Sequence, residues 1–208
     1  MPATLIYGFV TLIVIIDPVG TATLFAGLTH DWTPAERRAS AKLGVLVAGL
    51  LLLVFAFGGE ALLRALGISL AALRVAGGIL LFLLATDMVL AKASGFRGIT
   101  LREREEATHR DDIAVFPLAF PLIAGPGALT SVVLLMGSAH GIEEVGGLVA
   151  AGAIALGITL VALLSATRLV ALLGVTGTNV IGRVLGVVLA ALAAQFVLDG
   201  IAAWLPRA

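Results

Sequence analysis

The sequence predicts an all-α membrane protein of six transmembrane helices, arranged as two inverted three-helix repeats, with helices 1 and 4 broken near the midplane. Three observations predict it: an apolar composition, six hydrophobic segments, and prolines that interrupt the first and fourth segments. Of the 208 residues, 60% are hydrophobic and 12% are charged, and the mean hydropathy is +1.14. Soluble domains carry about 25% charged residues. A chain this apolar is therefore a membrane protein.

Six segments are candidates for membrane spans, since a span needs about 20 apolar residues. They are residues 5–28, 41–63, 68–91, 113–136, 145–165 and 178–204. The four residues before the first segment carry no basic side chain of the kind that precedes a cleaved signal peptide. We therefore expect the first segment to be retained as a span. Thr33, Pro34 and Glu36 predict a capped helix start ahead of the second span.

Basic residues predict the orientation of these spans, because cytoplasmic loops carry an excess of lysine and arginine. Nine of them lie in the first, third and fifth connections: Arg37, Arg38, Lys42, Lys92, Arg97, Arg102, Arg104, Arg110 and Arg168. Only two, Arg64 and Arg207, lie on the opposite side. We therefore expect the odd-numbered connections to be cytoplasmic and both termini to be outside.

Charge and residue types exclude several kinds of partner. The formal net charge is zero, and the charged connection mixes both signs, so no nucleic-acid partner is predicted. The chain has no cysteine, and its three histidines lie in separate polar stretches, so we expect no metal site and no cofactor. The partners that remain are the lipid bilayer and a small-molecule substrate, with H⁺ or Na⁺ as candidate coupling ion.

The chain is predicted to be one membrane domain built from two repeats, 4–91 and 113–204, joined by a charged cytoplasmic connection, 92–112. Asp17 and Gly125, at the two proline interruptions, are 108 residues apart, and Arg74 and Arg183 are 109 apart. The Arg-Val pairs and apolar pattern of 73–81 and 182–190 also match. A repeat of three spans must re-enter the membrane in the opposite orientation, as in many transporters.

Each interruption places a proline in the middle of an apolar helix: Asp17-Pro18-Val19-Gly20 in the first span and Gly125-Pro126-Gly127 in the fourth. Proline removes a backbone donor and clashes with the preceding turn, and the residue before it is disfavoured in helical geometry. We expect Pro18 and Pro126 to begin second half-helices, and Asp17 to cap the first of them. Backbone groups freed in this way cannot face lipid. The two breaks should therefore face each other inside the bundle.

These breaks are the predicted substrate site. A helix N-terminus attracts an anionic group such as a carboxylate, while freed carbonyls attract an ammonium group or a cation. The candidate substrate-binding residues are Asp17, Pro18, Gly20, Thr21, Thr23, Gly125, Pro126, Gly127, Thr130 and Ser131. Asp17 is also the candidate coupling residue, because an ionised carboxylate at mid-bilayer costs several kcal/mol unless it is paired or hydrated. The alternative for Asp17 is a structural helix cap.

Charged residues in the third and sixth spans are candidates for a gate or for ion pairs: Arg74, Asp87, Arg183 and Asp199. The alternative is that the arginines extend to the interface and the acids reach water at the helix ends. Gly182 and Gly186 have GxxxG spacing, which favours close helix packing and a homo-oligomer.

Taken together, these motifs resemble the MarC family of bacterial inner-membrane proteins, also called the neutral amino acid transporter family. The resemblance is carried by Asp17-Pro18-Val19-Gly20, by residues 73–82 continuing to Asp87-Met88, and by residues 113–127, and it covers essentially the whole chain. It implies a bacterial or archaeal plasma (inner) membrane protein and a transporter of small neutral amino acids such as glycine and alanine. Phe116 and Phe120 stand where many members have smaller aliphatic residues.

Three functions remain open. The first is a symporter of small neutral amino acids, driven by protons or sodium and working by alternating access. The second is an exporter of metabolites or toxic compounds, and the third is a channel or a membrane scaffold that transports nothing. No P-loop motif is present, so ATP could drive transport only through another chain. An enzyme is not expected, since the spans contain no Ser/His/Asp or metal constellation.

Overall fold

The computed structural model describes residues 2–90 and 113–205, so the predicted charged connection 92–112 lies outside the described residues. Within the described ranges the regular structure is helical. Seven α-helices and one π-helical segment follow in chain order: α1 (Pro2–Ile16), α2 (Pro18–Leu28), α3 (Pro34–Ala65), α4 (Leu70–Leu90), the π-helical segment (Ala114–Ile123), α5 (Pro126–Gly137), α6 (Ile142–Leu164) and α7 (Ala166–Trp204).

The prediction of an all-α membrane fold is confirmed. Five helical stretches are long and apolar enough to cross a bilayer: Thr4–Leu28, Pro34–Ala65, Leu70–Leu90, Ile142–Leu164 and Thr176–Trp204. A sixth span forms if the π-helical segment and α5, whose axes differ by 56°, are counted together. The inverted arrangement of the two halves stays a prediction.

Local sequence signals account for the start of α3. The Thr33 amide donates to Glu36 Oε2 at 3.0 Å, the Glu36 amide donates to Thr33 Oγ1 at 3.4 Å, and Pro34 occupies the first helical position. This reciprocal pair satisfies two amides that a helix start leaves unpaired. The predicted capped start is therefore confirmed.

The first half of the fourth span departs from the prediction. One interruption is predicted there, at Gly125–Gly127, but the preceding stretch is π-helical, with extended backbone at Phe116 and Phe120. Pro117 and Pro121 follow these two residues, and both Phe–Pro peptide bonds are cis. Proline disfavours helical geometry in the residue before it, so Pro117 and Pro121 are the sequence signal for this irregularity.

The helices pack in a crossed pattern. α1 and α2 pack chiefly against α6 and α7, whereas the π-helical segment and α5 pack chiefly against α3 and α4. We call these sets packing group A (α1, α2, α6, α7) and packing group B (the π-helical segment, α3, α4, α5). The broken span of each half therefore packs mainly against helices of the other half of the chain.

The longest contact between the two packing groups joins α4 and α7, which run antiparallel. Glycines permit the close approach: a Cβ built at Gly200 would lie 2.9 Å from the Ala71 carbonyl oxygen, and one at Gly186 would lie 3.1 Å from that of Ala85. No described atom lies within 4 Å of a Cβ built at Gly182. Of the predicted GxxxG pair, Gly186 thus mediates packing within the chain and Gly182 does not.

The first and fifth connections lie at the same end of the bundle, since Arg37 at the start of α3 hydrogen-bonds Thr167 at the start of α7. This agrees with the predicted alternation of the spans. Which end faces the cytoplasm stays a prediction from the basic residues.

Candidate functional site

The first break is confined to Asp17. α1 ends at Ile16 and α2 begins with Pro18, while Asp17 has φ 49° and ψ 74°, in the left-handed region. Aspartate tolerates this region better than most residues because its short side chain bonds nearby backbone. Here Asp17 Oδ1 accepts the Gly20 amide at 3.0 Å. The predicted cap is confirmed, and the carboxylate that forms it is buried, at 2% exposure.

The threonine hydroxyl groups of α2 donate to backbone carbonyls four or five residues earlier in the chain. Thr21 Oγ1 donates to the Ile16 carbonyl at 2.8 Å, and Thr23 Oγ1 donates to the Val19 carbonyl at 2.8 Å. The Ile16 carbonyl, which the break was expected to free for a cation or an ammonium group, therefore already accepts one bond. Thr21 is fully buried, so it supports the break from inside the protein.

The second break begins α5 without a side-chain cap. Gly125 is extended, Pro126 occupies the first position, and the Leu129 amide donates to the Gly125 carbonyl at 2.9 Å. The amides of Gly127 and Ala128 precede that bond in the first turn, where a helix leaves its N–H groups unpaired and carries partial positive charge. This helix start suits a small anionic group.

The structure brings the end of α1 and the start of α5 together. A cavity of about 30 Å³ is lined by Ile15 of α1, by Leu80 and Leu84 of α4, and by residues between Pro121 and Ala128. A Cβ built at Gly127 would lie 3.7 Å from Ile15 Cγ2 and would overlap Leu81. Asp17 is not among the residues that line this cavity.

The two hydroxyl groups of α5 differ in their surroundings. Thr130 packs against Gly77 of α4, where an added Cβ would lie 3.0 Å from Thr130 Cβ, and it lines an apolar groove of about 190 Å³. Ser131 is fully buried, and its Oγ has no hydrogen-bond partner among the described residues. A buried hydroxyl without a partner is rare, because its desolvation is not compensated. Near this break, the Ser131 hydroxyl is thus the buried side-chain group whose hydrogen-bonding capacity is unsatisfied among the described residues.

The candidate gate residues do not form one cluster. Arg74 is half-buried where α4 approaches Gly200 of α7, while Arg183 and Asp199 are exposed, and Asp199 accepts a hydrogen bond from Gln195 at 2.7 Å. Neither arginine lies within 4.0 Å of an acidic group in the part of the chain that the structure describes. Asp87 is half-buried near the end of α4. Their role in gating stays a prediction.

Sequence reasoning missed the apolar walls of the cavity, which are Ile15, Leu80 and Leu84. On helices that are apolar all round, periodicity does not separate the inner face from the lipid face. One available signal was Gly77-Gly78 in α4, since a glycine pair in a span often marks the close approach of a neighbouring helix.

Comparison with known proteins decides the family. Residues 3–205 match the model of the MarC family of integral membrane proteins. The chain belongs to the MarC family. The predicted resemblance is therefore confirmed, and this MarC protein is a multi-pass integral membrane protein.

Relatives of this MarC protein occur in both bacteria and archaea. It is 38% identical to the inner membrane protein YhgN of Escherichia coli, over 94% of this chain and 95% of the relative. It is also 38% identical to a membrane protein of Methanocaldococcus jannaschii, with the same coverage. Identity to the membrane protein YvbG of Bacillus subtilis is 31%, over 97% of this chain and 96% of the relative. No solved structure matches the chain significantly.

Proposed function

We propose that this MarC protein is a secondary transporter of small neutral amino acids, coupled to protons or sodium, that works by alternating access around its two breaks. The observation that carries the proposal is the shared cavity where the end of α1 meets the uncapped start of α5. Paired interruptions at matching positions of two halves are characteristic of transporter binding sites.

The crossed packing supports an inverted repeat. A two-fold axis in the membrane plane would relate α1 and α2 to the π-helical segment and α5, α3 to α6, and α4 to α7. Under that relation, the contacts of α1 and α2 with α6 and α7 correspond to those of the π-helical segment and α5 with α3 and α4. The same axis would pass between the antiparallel pair α4 and α7.

The chemistry of the second break favours a small substrate that carries a carboxylate. The first-turn amides of α5 suit a carboxylate. The hydroxyl of Ser131 does not line the cavity, but it lies one turn deeper in the same helix and has no partner among the described residues. One water needs about 10–15 Å³ of such space, so a cavity of about 30 Å³ leaves room for only a few heavy atoms. Glycine and alanine are the amino acids that need the least enlargement of this cavity, whereas long or aromatic side chains need far more.

Asp17 is the candidate coupling residue. Among the described residues it is the one charged side chain that is buried. It caps α2 and lies two residues after Ile15, the α1 residue that lines the shared cavity. Binding of a proton or a cation at this carboxylate would change its bond to the Gly20 amide, and with it the geometry of the break.

Uptake by the purified protein in liposomes tests the proposal. We expect labelled glycine or alanine to accumulate only when a proton or sodium gradient is imposed, and protein-free liposomes give the baseline. Accumulation that requires the opposite gradient would indicate an exporter, and non-saturable flux without a gradient would indicate a channel. Absence of flux for every small amino acid in both directions would overturn the proposal.

A further inference from the structure

The guanidinium group of Arg37 connects three helices at one end of the bundle. Its Nε donates to the Thr29 carbonyl at 2.8 Å, its Nη2 donates to the His30 carbonyl at 2.7 Å, and its Nη1 donates to Thr167 Oγ1 at 2.7 Å. Arg37 belongs to α3, Thr29 and His30 directly follow α2, and Thr167 is the second residue of α7. Each nitrogen of the planar group thus has its own acceptor.

Two of these bonds cap the C-terminal end of α2. The last carbonyls of a helix lack partners within the helix and carry partial negative charge. The guanidinium reaches the carbonyl of the C-cap residue Thr29, which also accepts the Trp32 amide, and the carbonyl of His30 just beyond it, because its donors form a rigid fork. Arg37 therefore fixes the end of the half-helix that begins at Asp17.

The third bond crosses between the halves of the chain. Arg37 and Thr167 are 130 residues apart. Arg37 is in α3, of packing group B, whereas α2 and α7 pack together in packing group A. The bond to Thr167 thus crosses the boundary between the packing groups, while Thr29 and His30 lie in the connection between α2 and α3.

We propose that Arg37 is a clamp that holds this end of the bundle closed across the two packing groups, and that its release from Thr167 allows this end to open. The role of opening in transport rests on the proposed function. The repeat spacing of 109 relates Arg37 to Gly146. Gly146 is exposed, and a Cβ built on it would have no neighbour within 4 Å among the described residues. The second half therefore has no clamp at the position equivalent to Arg37, so the two ends of the bundle differ in this contact.

Distances between spin labels test the clamp without any substrate. The chain contains no cysteine, so Ala39→Cys in α3 and Ala171→Cys in α7, both at exposed positions, carry the labels. Double electron–electron resonance in lipid nanodiscs then reports the separation of the two packing groups. The parent protein should give a single short distance.

Matched variants separate the clamp from general effects of charge. Thr167→Val removes the acceptor, and we expect the fraction of a longer distance to rise about threefold to tenfold, the effect of losing one charge-assisted hydrogen bond at a partly exposed site. Arg37→Ala should act in the same direction and more strongly. Thr167→Ser, which keeps the hydroxyl, and Arg38→Ala, which removes a neighbouring exposed arginine, should match the parent.

The outcomes distinguish this proposal from the proposed function. If Thr167→Val gives the parent's distance distribution, the clamp is overturned, whatever the parent transports. If Thr167→Val lengthens the distance but the parent moves no amino acid, the clamp stands and the proposed function fails. Should Arg37→Ala not yield folded protein, Thr167→Val alone decides, because Thr167 is exposed and its replacement leaves the cap of α2 intact.

Discussion

Ile15 and Gly127 meet where the two broken spans approach each other, with the Ile15 Cγ2 atom 3.7 Å from the position that a Cβ at 127 would take. On the other side of that position lies Leu81, which is fully buried and would overlap the added atom. The start of α5 is thus held between α1 and α4 with no room for a side chain.

Gly127→Ala should therefore lower the free energy of unfolding by about 1–3 kcal/mol, the usual effect of adding a methyl group to a packed interior. Unfolding in detergent micelles measures it. Leu81→Ala removes the overlapping atoms, so the double variant should lose less stability than the sum of the two single variants. If the two substitutions prove additive, the overlap at Leu81 is not the cause.

Ser131→Ala should leave stability unchanged or raise it, since a buried hydroxyl without a partner costs about 1–3 kcal/mol of desolvation. The same change should raise the KM for glycine uptake about tenfold, if this hydroxyl binds the substrate. Ser40→Ala is the matched control, because Ser40 on α3 is also buried without a partner among the described residues. Equal uptake by the two variants would exclude Ser131 from the binding site.

Asp17→Asn should abolish gradient-driven uptake while preserving expression and thermal stability. Asparagine caps helices as well as aspartate does and also tolerates the left-handed region, so the break should keep its geometry and lose only its charge. Asp17→Ala should in addition lose about 1 kcal/mol of stability with the cap. If the rate and pH dependence of uptake by Asp17→Asn equal those of the parent, Asp17 is a cap and nothing more.

Pro126→Ala should weaken glycine binding, because alanine favours continuation of the helix and would supply an amide that proline lacks. Equilibrium binding to the purified variant measures the change in Kd. Pro126 is exposed, so the substitution itself removes little buried surface. Unchanged affinity would assign this break to packing rather than to substrate recognition.

Much of the fold could be predicted from the sequence, because its strongest signals are local. The spans follow from runs of apolar residues, and the interruptions at Asp17 and before Pro126 follow from the chemistry of proline. The cap formed by Thr33 and Glu36 requires only two residues three positions apart. Each of these features depends on neighbours within one helical turn.

The relationships that the sequence did not reveal are long-range. Leu80 and Leu84 line the shared cavity, yet they sit in a helix with apolar residues on every side, so their pattern carries no direction. Arg37 resembles any basic residue near a span, and its partner Thr167 lies 130 positions away. The buried hydroxyl of Ser131 was a candidate from its position after the break, but its lack of a partner depends on the packing of α5.

The crossed packing has a consequence for biosynthesis. α1 and α2 leave the ribosome well before their main neighbours, α6 and α7. Until those arrive, the interruption at Asp17 has no permanent protein environment inside the bilayer, where exposed polar groups are costly. We expect the nascent N-terminal half to be retained beside the insertion machinery until the chain is complete.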